Sequence, residues 1–116
     1  MESILDSIKL QLGITSDYRQ FDAQIMAHIN SVFMLLNQLG VGPKDCFYIE
    51  DEFTTWDDFL EGRYDLNAVK TYVFLRVKLM FDPPSTSFVL DAHTRQISEL
   101  EWRLNIQAES TEEGDA

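Results

Sequence analysis

The chain has 116 residues, of which 45% are hydrophobic and 12% aromatic, a composition that is typical of one compact domain and excludes a disordered chain. Its 20 acidic and 9 basic residues give a formal net charge of −11, which disfavours a protein that wraps nucleic acid, because phosphate binding needs a basic face. One cysteine excludes an internal disulfide and a Cys/His zinc site, and it favours a reducing cytoplasm.

The N-terminal segment MESILDSIKLQLG lacks the basic start and apolar run of a secretory signal, so we expect it to remain part of the fold. No apolar stretch approaches the roughly 20 residues that cross a bilayer. The densest one, Tyr72 to Phe81, is interrupted by Arg76 and Lys78. We therefore expect a soluble protein with no membrane partner.

Two helices are predicted in the first 40 residues. Ser3 can cap a short helix that ends at Gly13. Asp17 with Gln20 three residues later resembles a capping box, and from Phe21 to Leu39 apolar residues recur at helical spacing. Further apolar residues widen this surface, which indicates either central burial or a second contact face.

The segment 44–65 is the least regular and the most acidic part of the chain. Phe47 and Ile49 alternate as in a short strand, which predicts a loop or a short hairpin. Thr54 or Thr55 could cap a single turn of helix that folds back onto the bundle.

A third helix is predicted to begin at Asp65 as its N-cap and to end at Asp82-Pro83-Pro84, because proline disfavours helical backbone for the residue before it and has no amide hydrogen. Its stretch Tyr72 to Phe81 is apolar on nearly every side, which predicts contacts all round.

A fourth helix, from about Ser87 to Gln107, is predicted to pack back along the third as an antiparallel hairpin. Its seam is formed by residues at alternating steps of three and four: Leu90, His93, Ile97, Leu100 and Leu104. The fold class is therefore all-α, a small bundle of four main helices with a long C-terminal hairpin and an irregular acidic loop. We expect one domain over 1–107 and a disordered acidic tail over 108–116. The predicted core includes Leu36, Val73, Val77, Ile97 and Leu100.

Few residues are placed for chemistry. His28 and His93 lie on or beside apolar stripes and are expected to be hydrogen-bonded structural histidines, and Cys46 to be a small core residue. An acidic cluster could hold a hard cation, but it lacks the EF-hand spacing and glycine, which favours a solvated loop; its members are Glu50, Asp51, Glu52, Asp57, Asp58, Glu61 and Asp65. We expect no catalytic residue, no cofactor and no metal, and therefore no enzyme.

Two alternatives stay open. For Arg76 and Lys78, either the aliphatic parts of the side chains pack while the charged groups reach water, or the two charges meet carboxylates of a neighbouring subunit. Trp102 either caps the end of the bundle or anchors a partner.

Three runs of sequence resemble bacteriophage head-tail connector proteins: HINSVFMLLNQLGVGP (28–43), TTWDDFL (54–60) and VKTYVFLRVKLMFDPPSTSFVLDAHTRQISELEWRLN (69–105). The most specific part is the helix, the FDPP turn and the long last helix with ELEWRL. The resemblance implies a small helical adaptor of the virion, assembled in the host bacterial cytoplasm, that docks beneath the portal as a ring and extends the DNA channel toward the tail.

The partners that this resemblance implies are the portal protein, a stopper or tail-completion protein and the chain itself, in a ring of roughly twelve copies. Genomic DNA passes through without specific binding. The expected subunit or portal interface consists of Phe74, Arg76, Lys78, Phe81 and Trp102, and the expected channel-facing acids are Glu50, Asp51, Glu52, Asp57 and Asp58. The alternative function is a helical protein-binding or regulatory module of phage or prophage origin that forms no ring.

Overall fold

The computed structural model describes the backbone of residues 2–115 and the side chains of residues 2–109. Within this range the chain forms five α-helices and a 3-10 turn, Tyr64–Leu66, and no strand. The helices are α1 (Ile4–Gln11), α2 (Asp22–Gln38), α3 (Trp56–Leu60), α4 (Val69–Phe81) and α5 (Ser87–Asp115). The predicted all-α class is confirmed, and the chain reverses between α4 and α5 at the two prolines.

Two of the predicted helix caps are confirmed. The Ser3 hydroxyl accepts a hydrogen bond from the backbone N–H of Asp6 at 3.2 Å and so begins α1. Thr55 and Asp58 form a reciprocal capping box at the start of α3, with bonds of 3.3 and 2.9 Å. Each cap satisfies backbone N–H groups that would otherwise lack a partner at the start of the helix. Thr55, rather than Thr54, is therefore the cap.

Two other predicted caps are wrong. Phe21 precedes α2 and Ala68 precedes α4, and neither helix has a side-chain cap. Asp17 lies in the preceding loop, where the Thr15 hydroxyl and its own backbone N–H lower the pKa of its carboxyl. Asp65 lies inside the 3-10 turn, and Arg63 binds its carboxylate. Both carboxylates thus have local partners that the spacing alone does not reveal.

Helix α4 lies at the centre of the bundle, packed against α2, α5 and α1. This position explains why α4 is apolar on nearly every side. Four of the five predicted core residues, Leu36, Val73, Val77 and Ile97, are buried, and the fifth, Leu100, is half-buried.

The predicted seam of α5 is confirmed only in part. Ile97 and Leu104 are buried, but Leu90 is 38% exposed, and His93 is half-buried. Leu90 belongs to the first turn after the prolines, next to the equally exposed Val89. The apolar seam therefore begins about one turn later than the spacing predicts.

The acidic segment is irregular but firmly attached to the bundle. Asn30 of α2 donates to the carbonyl of Ile49 at 2.9 Å and accepts from its N–H at 2.7 Å. Phe47 packs edge-on against Phe33, with ring centroids 5.2 Å apart. No hairpin forms here within the described residues, because the extended part of the segment pairs with the start of the chain through a bridge between Ser3 and Thr55.

Gly42 is required at its position in the turn after α2. Its φ is +96°, and a Cβ there would lie 2.4 Å from Cζ of Phe59. A side chain would be strained by the backbone conformation and would also displace a buried ring. The turn therefore brings the backbone into direct contact with α3.

The predicted disordered tail, 108–116, lies largely outside the residues whose side chains are described, and its disorder stays a prediction. Within the tail, Ala108 is buried, so the packed part of α5 extends at least one residue beyond the predicted domain boundary. None of the helices, over the described residues, is both long and apolar enough to cross a membrane.

Candidate interaction surfaces

A polar cluster joins α4 to α5. The hydroxyl of Tyr72 donates to Oε2 of Glu101 at 2.7 Å, and Nε of Arg76 donates to the Tyr72 hydroxyl at 3.1 Å. The Arg76 guanidinium also pairs with Glu101 and lies 5.6 Å from the centroid of the Tyr72 ring. Burial and the hydrogen bond to Glu101 raise the pKa of Tyr72 to about 12. The charge of Arg76 is thus matched within the chain.

Lys78 also has a partner within the chain, since its Nζ lies 2.9 Å from Oδ2 of Asp82 at the end of α4. The Asp82 side chain is 64% exposed, so water screens this pair and its energy is small. The predicted role of Arg76 and Lys78 between subunits stays a prediction, and it would require both residues to exchange the carboxylates that they now hold.

The two aromatic residues predicted for an interface on α4 are half-buried and pack against the core. Phe81 contacts Phe21 edge-on, with centroids 5.4 Å apart, and Phe74 also packs against the buried core. Most of their apolar area is therefore already covered inside the chain.

Trp102 is 65% exposed, so the alternative in which it caps the end of the bundle is wrong. It shares one face of α5 with Arg95 and Ile106, because positions 7 and 11 residues apart return to nearly the same side of a helix. Ile106 is 40% exposed, and Arg95 is exposed with no ion pair among the described residues. These three residues are called the outer face of α5.

The predicted channel-facing acids lie in the segment that precedes and forms α3. Glu50, Asp51 and Asp58 are exposed, and Glu52 and Asp57 are half-buried. Three of them also have local bonds: Asp51 accepts from the N–H of Phe53, Asp57 from the hydroxyl of Tyr64, and Asp58 belongs to the Thr55 capping box.

Two exposed aromatic residues flank the start of this acidic segment. Phe53 is 77% exposed and Tyr48 is 61% exposed. Residues 48–53 are called the acidic tip. Apolar rings of this size next to exposed carboxylates are typical of a contact surface rather than of a solvated loop. Periodicity could not identify them, because the segment has no regular repeat.

The remaining candidates for chemistry are one cysteine and two histidines. Cys46 is exposed, which corrects the prediction of a core residue: it lies in the turn after Pro43, where Val41 and Ile49 on either side supply the buried side chains. His28 and His93 are half-buried, but Nε2 of His28 and Nδ1 of His93 are buried without a hydrogen-bond partner in the described part of the chain. Over the same residues, no group of three His, Cys, Asp or Glu side chains is arranged to hold a metal.

The sequence analysis missed a buried ion pair. Lys9 is fully buried, with its Nζ 2.8 Å from Oδ1 of Asp22. The same nitrogen donates to the carbonyls of Tyr18 at 2.7 Å and Ser16 at 3.2 Å. Lys9 thereby ties α1, the loop after it and the start of α2 together. A lysine on the apolar side of a short helix was the available signal.

Comparison with protein families supports the resemblance seen in the sequence. The family model described as phage connector protein matches residues 4–111, which include α1 to α4 and most of α5. Comparison with curated proteins and with solved structures gives no match. The match spans nearly the whole described chain, so it covers the bundle, the acidic tip and the outer face of α5. The chain therefore belongs to the family of phage connector proteins, the head-tail connectors that its sequence resembles.

Proposed function

We propose that the protein is a ring-forming head-tail connector adaptor that docks on the portal and extends the DNA channel toward the tail. The observation that carries this proposal is the family match over residues 4–111. A connector of this kind contacts copies of itself and of other virion proteins, so its fold must leave apolar surface uncovered.

The distribution of exposed apolar side chains supports such contacts. Large hydrophobic residues are more than half exposed on several separate elements: Leu10, Met34, Tyr48, Phe53, Tyr64, Phe88 and Trp102. Single exposed residues are normal for a monomer, so the support comes from those that share a segment or a helix face, Tyr48 with Phe53 and Trp102 with Ile106. A ring subunit needs at least two surfaces for its neighbours and one each for the components above and below.

The charge supports a channel that carries DNA without binding it. The segment 44–65 contains eight acidic residues and only two basic ones. Carboxylates that line a channel repel DNA phosphates along its length, whereas a basic lining would hold the genome in place. We propose that part of this segment, with Asp57 and Asp58 among its members, faces the channel.

Co-assembly with the portal ring of the same phage tests this proposal. We expect the purified chain to bind isolated portal rings, and negative-stain electron microscopy of the complex to show an added ring coaxial with the portal. A chain that binds the portal as scattered single copies, or not at all, would contradict the proposal and favour the non-assembling binding module.

A further inference from the structure

We propose that neighbouring subunits join through the outer face of α5 of one copy (Arg95, Trp102 and Ile106) and the acidic tip of the next (residues 48–53). This inference rests on the proposed ring function and names the surfaces that form the joint. Each surface thus binds another copy of this chain.

Each surface carries a charged side chain opposite in sign to one on the other surface. Glu50 lies exposed on the acidic tip, and in the sequence it stands between the exposed Tyr48 and Phe53. Arg95 lies exposed on α5 with no carboxylate in ion-pair distance in the part of the chain whose side chains are described. The other arginines, Arg19, Arg63, Arg76 and Arg103, are each paired within the chain. Arg95 is therefore the guanidinium that remains for a carboxylate of another copy.

The apolar residues beside these charges fit the same contact. Trp102 is 65% exposed and lies about 10 Å along the helix axis from Arg95. Phe53, 77% exposed, is three residues from Glu50 on the acidic tip. Tryptophan and arginine are the residue types that contribute most to protein interfaces, especially when aromatic side chains shield the charge from water.

The positions of the two surfaces suit a contact that repeats around a ring. The acidic tip is held by α1 and α2, through the bond of Thr54 to Ile4 and those of Asn30 to Ile49, whereas α5 packs mainly on α4. The acidic tip is thus attached to α1 and α2, and the outer face belongs to α5, so the two surfaces are different parts of the subunit. A contact between two different surfaces is head-to-tail, and it closes into a ring when the rotation allows.

Complementary variants test the joint. One variant carries Arg95→Glu and Trp102→Ala on α5, and the other carries Glu50→Lys and Phe53→Ala on the acidic tip. Asp51 is left unchanged because it bonds the N–H of Phe53. Gln24→Ala is the control, since Gln24 is exposed on α2 and lies outside both surfaces. Circular dichroism establishes that each variant is folded.

Native mass spectrometry at increasing concentration, alone and on portal rings, measures assembly. We expect the wild type and Gln24→Ala to form rings, and each interface variant alone to associate about tenfold or more weakly. An equimolar mixture of the two variants should yield a dimer and nothing larger, because one intact α5 face then meets one intact tip.

Two results would overturn the joint while leaving the proposed function intact: normal rings from either variant alone, or a mixture that stays monomeric when the wild type forms rings. A wild type that remains monomeric even with the portal would instead overturn the proposed function, and the joint with it.

Discussion

The buried ammonium of Lys9 allows a stability prediction that can be worked from the structure. In Lys9→Met the aliphatic packing is retained, but Asp22 loses a partner at 2.8 Å and two carbonyls lose a donor. Breaking a buried pair costs about 3–5 kcal/mol. Asp22 still pairs with Arg19 at 2.9 Å, and its side chain is 15% exposed. We therefore expect a loss at the lower end of this range, about 3 kcal/mol of unfolding free energy.

Urea denaturation followed by circular dichroism measures this loss. The matched control is Lys70→Met, since the Lys70 side chain is 35% exposed and its partner Glu2, at 3.3 Å, is 57% exposed. Surface pairs of this kind contribute about 0–1 kcal/mol. Equal losses of unfolding free energy in Lys9→Met and Lys70→Met would show that the buried Lys9 pair stabilises the fold no more than an exposed pair does.

The pH dependence provides a second check on Lys9. Burial of Asp22 acts to raise the pKa of its carboxyl, but the hydrogen bonds from Lys9 and Arg19 outweigh burial and hold that pKa below its ordinary value of 3.8. A carboxyl with a lowered pKa in the fold stabilises the protein above its unfolded pKa, and this contribution is lost as the pH falls through the lowered value. The difference between wild type and Lys9→Met should therefore shrink below about pH 4.

Three further predictions are measured by urea denaturation or by the reactivity of the cysteine thiol. Gly42→Ala should lose about 3 kcal/mol or more of unfolding free energy, from backbone strain and a clash with the Phe59 ring. Gly40→Ala, where φ is +79° and nothing lies within 4 Å of the added Cβ, should lose only about 1 kcal/mol. Similar losses in the two variants would contradict the clash. Ile97→Ala should lower the unfolding free energy by about 2–4 kcal/mol, and Leu90→Ala, at a position 38% exposed, by under about 1 kcal/mol. A larger loss at Leu90 than at Ile97 would show that Leu90 belongs to the packed seam, as its spacing predicts. The Cys46 thiol should react with a thiol reagent in the folded protein about as fast as in urea, and strong protection would show that the residue is buried after all.

The parts of the fold that depend on neighbouring residues could be predicted from the sequence. Ser3 and Thr55 begin helices because a hydroxyl reaches a backbone N–H three residues on, and Pro83 ends one because it has no N–H. Such effects act within one turn. The all-round apolar character of α4 likewise follows from its central position, although the sequence alone allowed a second subunit to be the reason.

The parts that depend on distant residues could not be predicted. Arg76 lies 25 residues from Glu101, and Lys9 is 13 residues from Asp22, so neither pair shows any regular spacing. The exposure of Cys46 depends on which neighbours the turn after α2 places in the core. Of the predicted interface residues, Trp102 is the one that the fold leaves mostly exposed, and the acidic tip was recognised for its charge but not for its exposed rings.

The number of copies on the portal tests the central claim most directly. Native mass spectrometry of purified portal rings saturated with the 13.4 kDa chain gives the added mass as a whole number of subunits. The proposed ring predicts a single saturated species with roughly twelve added copies, filled cooperatively so that partly loaded portals are scarce. A spread of intermediate loadings with no preferred number, or no added mass, would contradict a ring-forming adaptor.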